Sequence, residues 1–260
     1  MFKDKRMENT EEKYLHYKQE VVVAVGDADF NGHIKPSAIM GYCQDIATTH
    51  AGILGFGHKD LLARNLVWVM IRMSFKVIKS PKIGETLIIK TFCEKPNKLD
   101  VNRGYYINNM AGETVIFASS KWCVLDMNTH KISLLTPLFE KYVDADFIPY
   151  QPLDDANPKI QALSALDLTI EDTFRVQVTD LDQNFHMNNA RYGDIILNAC
   201  GVQALKENRI SRIDLNFISQ LFIGDEYEVY KAQKDNMTFV EAKKSDSDTI
   251  IFRARVAWQT

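Results

Sequence analysis

The chain has 260 residues, 46% hydrophobic and 25% charged, with a formal net charge of −3, which suits one large or two smaller globular domains. The slight acidic excess gives no electrostatic reason to expect nucleic acid as a partner, and apolar runs such as Leu66–Ile71 are too short to cross a bilayer. Four cysteines at 43, 93, 123 and 200, without a CxxC pair, point to buried free thiols rather than to zinc, a disulfide framework or a cysteine nucleophile.

The first residues are charged (Lys3, Asp4, Lys5, Arg6, Glu8) and lack the apolar stretch of a signal peptide, so a cytoplasmic location is the expectation. A leading strand is predicted over Val21–Val25. Gly26-Asp27-Ala28-Asp29-Phe30-Asn31-Gly32-His33 then enters an amphipathic helix. Pro36 sits early in it, where a missing N–H does no harm. Ile39, Cys43, Ile46 and His50 recur at helical spacing, and Gly52 offers a stop. His50 on that stripe reads as a satisfied core residue. Strands are predicted at Val67–Ile78, Thr86–Cys93, Val101–Asn108 and Thr114–Leu125.

Four of the seven prolines (Pro137, Pro149, Pro152, Pro158) then cluster with Asp154, Asp155 and Asn157, the composition of a linker. Beyond it the order repeats. A strand over Phe174–Val178 leads through Thr179-Asp180-Leu181-Asp182-Gln183-Asn184-Phe185-His186 to a helix that Asn188 or Asn189 can cap. Tyr192, Ile195, Ile196 and Ala199 form its stripe. Strands follow at Ile210–Ile218, Glu226–Gln233, Phe239–Lys243 and Thr249–Trp258. In the last, Ile250, Phe252, Ala254, Val256 and Trp258 alternate with Arg253 and Arg255.

The chain therefore reads itself twice. Asp27 falls on Asp180, Asp29 on Asp182, Asn31 on Asn184 and His33 on His186. Downstream, Arg72-Met73-Ser74-Phe75 answers Arg212-Ile213-Asp214-Leu215, Ile83-Gly84-Glu85 answers Ile223-Gly224-Asp225, and Glu113–Phe117 answers Asp248–Phe252. Four matches in one order mark a duplication, with units at 15–138 and 168–260 and a Pro-rich linker at 139–167. The fold class is α+β: two tandem hotdog domains, each a curved antiparallel sheet wrapped around a central helix. A lone sheet of this kind leaves an edge unpaired. Two units on one chain can form an internal pseudo-dimer, favoured by their high mutual concentration, and the chain is then expected as a monomer or as a homodimer of such pairs.

Several segments resemble the acyl-acyl-carrier-protein thioesterases of plants and their bacterial relatives. Gly55-Phe56-Gly57 with Asn65–Met73 looks like the stretch after that family's first helix, and Ala118–Trp122 like a strand ending its first domain. Asp180–Tyr192 resembles its catalytic segment nearly residue for residue. The resemblance implies release of fatty acid from acyl carrier protein (ACP), with no cofactor and no metal. It places Asp182, Asn184 and His186 in the active site. Gln220 stands where the family usually has Glu, and Leu221 where it has Cys, so no Cys-dependent mechanism is available. Met40, Ile46, Trp68, Met70 and Met73 are implied as candidates for the acyl-chain channel, with plain core packing as the alternative for each. Arg72, Lys76, Lys79 and Lys82 form a basic series that could meet the acidic carrier or be a plain solvated surface.

Thioester hydrolysis needs a positioned water, a base and donors for the oxyanion. Asp182, Asn184 and His186 alternate along the chain and can converge. Asp182 is expected to be the general base or, second, a carboxylate nucleophile. Asn184 would hold water or carbonyl, His186 would complete the hydrogen-bond network and help the thiolate leave, and Gln220 would orient the water. The free N–H groups at the start of the following helix are expected to polarise the carbonyl. The plain alternative, a cap with structural hydrogen bonds, is the expectation for Asp29, Asn31 and His33. Three other activities compete: coenzyme A as carrier, hydration of enoyl thioesters, and acyl binding without catalysis. The hydratase motif Asp-x-Asn-Pro-x-His lacks its Pro and one residue here. Loss of the usual Glu and Cys encourages the binding module.

Overall fold

Segments rich in β-branched and aromatic residues become strands, and in a computed structural model covering residues 16–140, 153–163 and 168–259 they join in one sheet of eleven. The first unit runs β1 (His16–Val22), α1 (Pro36–Leu54), α2 (His58–Leu62), β2 (Leu66–Val77), β3 (Thr86–Cys93), β4 (Asp100–Asn109), β5 (Thr114–Asp126), β6 (Ile132–Ser133) and α3 (Thr136–Phe139). The second runs β7 (Thr169–Arg175), α4 (Arg191–Cys200), α5 (Val202–Glu207), β8 (Arg209–Phe217), β9 (Glu226–Lys234), β10 (Met237–Lys244) and β11 (Ile250–Gln259). The strand order is β1-β3-β4-β5-β2-β8-β11-β10-β9-β7, with the short β6 beside β5. Apart from β6 it is a palindrome in which each strand of one unit has its counterpart in the other, as expected of a double hotdog.

Both leading strands lie several residues earlier than predicted. Val25 and Val178 fall instead in 3₁₀ turns, Val25–Asp27 and Val178–Asp180, where both are 76% exposed. The helix α1 also passes the predicted stop at Gly52. A helical glycine costs only about 1 kcal/mol, and Leu54 beyond it is buried in the core. Gly55, at φ 79°, ends the helix and donates its N–H to the carbonyls of Ala51 and Gly52. The predicted alternation of the last strand holds, with Phe252, Ala254, Val256 and Trp258 buried.

The units meet where β2 pairs antiparallel with β8, Arg72 opposite Asn216 through Lys76 opposite Arg212. Ser74 and Asp214, equivalent positions of the two copies, are directly opposite each other at the centre, so the pseudo-two-fold axis passes between them. The Ser74 hydroxyl donates to Asp214 Oδ1 at 2.6 Å, and the buried carboxylate also accepts from Arg212 and from Arg255 Nε at 2.6 Å. Residues 153–163 lie against this polar face. Asn157 donates its N–H to Ser74 and its amide to Ser119, Ile160 N–H donates to Asn216, and Arg212 reaches the carbonyls of Asp154 and Asp155. This stretch of the expected linker is a strap on the sheet; Pro149 and Pro152 lie outside the described residues. Arg72 of the basic series also donates to the strap, at the Asn157 carbonyl, rather than standing free. Among the described residues no helix is long and apolar enough to cross a membrane.

On the opposite face the two helices cross at their N-termini. Ser37 donates to Asp194, and a Cβ on Gly193 would stand 2.5 Å from the Ser37 nitrogen and 2.7 Å from its Cα. Gly193→Ala is therefore expected to destabilise the protein by about 1–3 kcal/mol, as overpacking does, seen as a lower urea midpoint. All four cysteines are buried. Burial pushes the thiols up, Cys123 to about 11 and Cys200 to about 12, and only the thiolate is nucleophilic. A thiol reagent at pH 8 should label the native protein slowly and report four thiols after unfolding.

Candidate active site

The 3₁₀ turn Val178–Asp180 delivers the chain into a tight loop closed by Asp182. Its Oδ1 accepts the N–H of Asn184 at 2.8 Å and of His186 at 3.4 Å, while its own N–H donates to the His186 carbonyl at 2.8 Å. Met187 N–H then donates to the carbonyl of Leu221, and His186 bridges to Phe222 with the rings edge to face at 4.9 Å. Leu221, fully buried, thus fixes the loop and sets the neighbouring Gln220 beside it. The first copy builds the same loop. Asp29 Oδ1 accepts from Asn31 and His33 at 2.8 and 3.0 Å.

Asp182, Asn184, His186 and Gln220 all line one cavity of about 520 Å³, a size suited to a small-molecule ligand. Among the described residues, Asp182 Oδ2, the Asn184 amide, the His186 ring nitrogens and the Gln220 amide have no hydrogen-bond partner. This differs from the expected network through His186, whose ring is held by Phe222 instead of by Asp182. The expected role of the helix start is corrected as well. The N–H groups of Ala190, Arg191, Tyr192 and Gly193 are bonded to Asn188 Oδ1 and to the carbonyls of Asn188, Asn189 and Ala190. They are not free to polarise a carbonyl, so donors must come from the side chains.

Much of the remaining wall comes from the first unit, including Gln44, Ala47, Thr48 and Ala51 on one face of α1 and residues 67–71 of β2. Trp68 and Met70 are on the wall as predicted, Trp68 with its indole N–H given to the Phe56 carbonyl at 2.8 Å. Met40, Ile46 and Met73 are not. Each is 1% exposed, packed in the core between the sheet and the two helices, and none of the three lines the cavity.

Sequence reasoning missed Asn189, Ser219 and Tyr192 on the wall. Tyr192 was visible only as part of an apolar stripe, its phenol the single hint. Burial, with Tyr227 and Asp182 nearby, raises the pKa of that phenol, so at neutral pH it is a donor. The corresponding space beside Asp29 and His33 has collapsed to about 30 Å³. There α4 has 10 residues against 19 in α1. Gly201, at φ 82°, turns the chain straight into α5, and the Leu205 carbonyl takes the Asn31 amide at 3.1 Å.

Residues 14–142 match the family model for the acyl-ACP thioesterase N-terminal domain, and residues 163–260 that for the acyl-ACP thioesterase C-terminal domain. The chain is 29% identical over 191 residues to a chloroplastic acyl-acyl-carrier-protein hydrolase of Cuphea viscosissima, covering 69% of this chain and 46% of that protein. It is 22% identical over 227 residues to a chloroplastic oleoyl-acyl carrier protein thioesterase of Coriandrum sativum, covering 82% and 61%. The chain spans about half the length of the curated relatives it matches first. In fold it is similar to an acyl-ACP thioesterase from Bacteroides thetaiotaomicron, with a TM-score of 0.79 at 24% identity, covering 96% of this chain and 100% of that one.

Phe185, 76% exposed, holds φ 60° where the first copy has Gly32 at φ 76°. A left-handed side chain costs roughly 1–2 kcal/mol, partly offset by the greater freedom of an unfolded glycine. Phe185→Gly is expected to raise the urea unfolding free energy by up to about 1 kcal/mol.

Proposed function

Since the chain belongs to the acyl-ACP thioesterase family, we propose that it hydrolyses the thioester of a fatty acyl chain on acyl carrier protein, releasing free fatty acid and the carrier's thiol. Residues 15–138 supply the acyl channel in this reading, and 168–260 the catalytic segment. The observation that carries it is the convergence of Asp182, Asn184, His186 and Gln220 on one cavity whose far wall is mostly apolar, each with side-chain polar atoms that have no partner among the described residues.

Asp182 uses one carboxylate oxygen to hold the loop and keeps the other for a water. That oxygen takes the proton as the water attacks the carbonyl carbon. Asn184 and Gln220 carry amide N–H donors for the oxyanion and acceptors for the water; Gln220, a neutral amide, orients but takes no proton. A well-aimed donor of this kind is typically worth about 2.7–4 kcal/mol in the transition state. When the C–S bond breaks, the proton passes to the leaving thiolate, with His186 as the relay. The carrier rather than coenzyme A is favoured by the family alone.

The test compares acyl-ACP and acyl-coenzyme A thioesters of equal chain length, reading free fatty acid and free thiol. Faster release from ACP is expected; faster release from coenzyme A would change the carrier. Asp182→Asn retains the Oδ1 acceptor and so the loop. It should lose about 10²–10⁴ in kcat, the usual worth of a general base, at an unchanged circular dichroism spectrum. Undiminished turnover would remove Asp182 from the base role, and substrate bound intact by the native protein would make it an acyl-binding module.

A further inference from the structure

The largely apolar wall of the cavity holds a charged group that an unsubstituted fatty chain cannot satisfy. Arg103, on β4 in the first unit, is part of the cavity wall and only 5% exposed. Its guanidinium donates from Nη1 to His50 Nδ1 at 2.9 Å and to Thr91 Oγ1 at 3.2 Å, and from Nη2 to Cys93 Sγ at 2.9 Å. All three partners are neutral acceptors: Nδ1 facing a permanent donor must carry its lone pair, and burial raises the Cys93 pKa so that the thiol keeps its proton. Among the described residues no carboxylate lies within ion-pair distance of Arg103. Of the five N–H groups of a guanidinium, one on Nε and one on Nη2 are thus left unassigned.

A buried cation without a counter-charge is costly unless something supplies one. A methyl-ended chain would bury it further. Two donors on adjacent nitrogens match the two oxygens of a carboxylate. A second polar group faces the same cavity: Gln44 Oε1, buried and without a partner. Gln44 lies six residues before His50 on α1, about 9 Å along the helix axis. The cavity therefore carries two polar groups on its first-unit wall, Arg103 on β4 and Gln44 on α1, on elements separate from the catalytic segment.

We infer that the cavity selects acyl chains bearing an oxygen function on the part remote from the thioester, a carboxylate or a hydroxyl, which Arg103 binds. The word acyl rests on the hydrolase reading above; the recognition of oxygen by Arg103 does not. Arg103 acts on specificity and takes no part in bond cleavage.

The experiment uses ACP thioesters of one chain length ending in methyl, hydroxyl or carboxylate, with the full-length protein and with Arg103→Met. The native protein should show kcat/KM at least about tenfold higher for an oxygenated ending than for methyl, a difference of about 1.4 kcal/mol. Arg103→Met, which removes the guanidinium and keeps an unbranched apolar stem, should erase or reverse that order in the fraction that folds. Equal or faster cleavage of the methyl-ended chain by the native protein overturns the inference, whether or not the variant folds. Binding of the free mono- and dicarboxylic acids by calorimetry separates the two readings. Arg103-dependent preference for the diacid without any thioester cleavage keeps the inference and rejects the hydrolase. Cleavage with methyl preference does the reverse.

Discussion

The pairing of β2 with β8 is the constraint on which the rest depends. It makes two curved sheets one, and removes from each unit an open strand edge that would otherwise invite other chains. It also fixes the angle at which α1 and α4 meet, so close that only glycine fits at 193. The cavity wall is drawn from both sides of this seam: α1 and β2 from one unit, the Asp182 loop and the Gln220 turn from the other. Neither unit alone has the walls to enclose it.

The two halves build the same Asp-closed loop but differ in what stands over it. A 19-residue helix followed by α2 leaves open space beside the second loop; a 10-residue helix followed at once by α5 fills the space beside the first. The difference between a site and a scaffold is thus a matter of helix length and of one left-handed glycine, Gly201. The motif residues themselves are alike. Phe185 is the exception. It accepts an unfavourable backbone that Gly32 adopts freely, and it stands exposed at the edge of the active loop.

Much of this was legible in the sequence. The strands of β2 to β5 and β8 to β11 follow from alternation and β-branched composition, and the duplication follows from repeated Asp, Asn and His at one spacing. The Asp182 loop was readable because its chemistry is local. What escaped depends on contacts distant in sequence. Gly55 outcompetes Gly52 as a helix stop because Leu54 is needed in the core. Met40, Ile46 and Met73 cannot be told from Trp68 and Met70 by hydrophobicity; only the path of the cavity divides them. Arg103 carries no signal at all, since an arginine in a strand is ordinarily a solvated one. The strap was read as a linker because prolines and acids are common to both; its buried leucines and Asn157 become informative only beside the sheet.

Ser74 facing Asp214 across the pseudo-two-fold has a consequence for which partner each half can accept. In a true homodimer the axial residue meets its own copy. A second unit paired with itself would bring two Asp214 side chains together at about the 4.5–5.5 Å of opposed strand residues. Those carboxylates would be withdrawn from water, and the electrostatic cost would fall on the very contact that holds the halves together. A serine on one side turns repulsion into a hydrogen bond. Two units on one chain are free to differ at this axial position, and the difference makes the second unit a better match for the first than for a copy of itself.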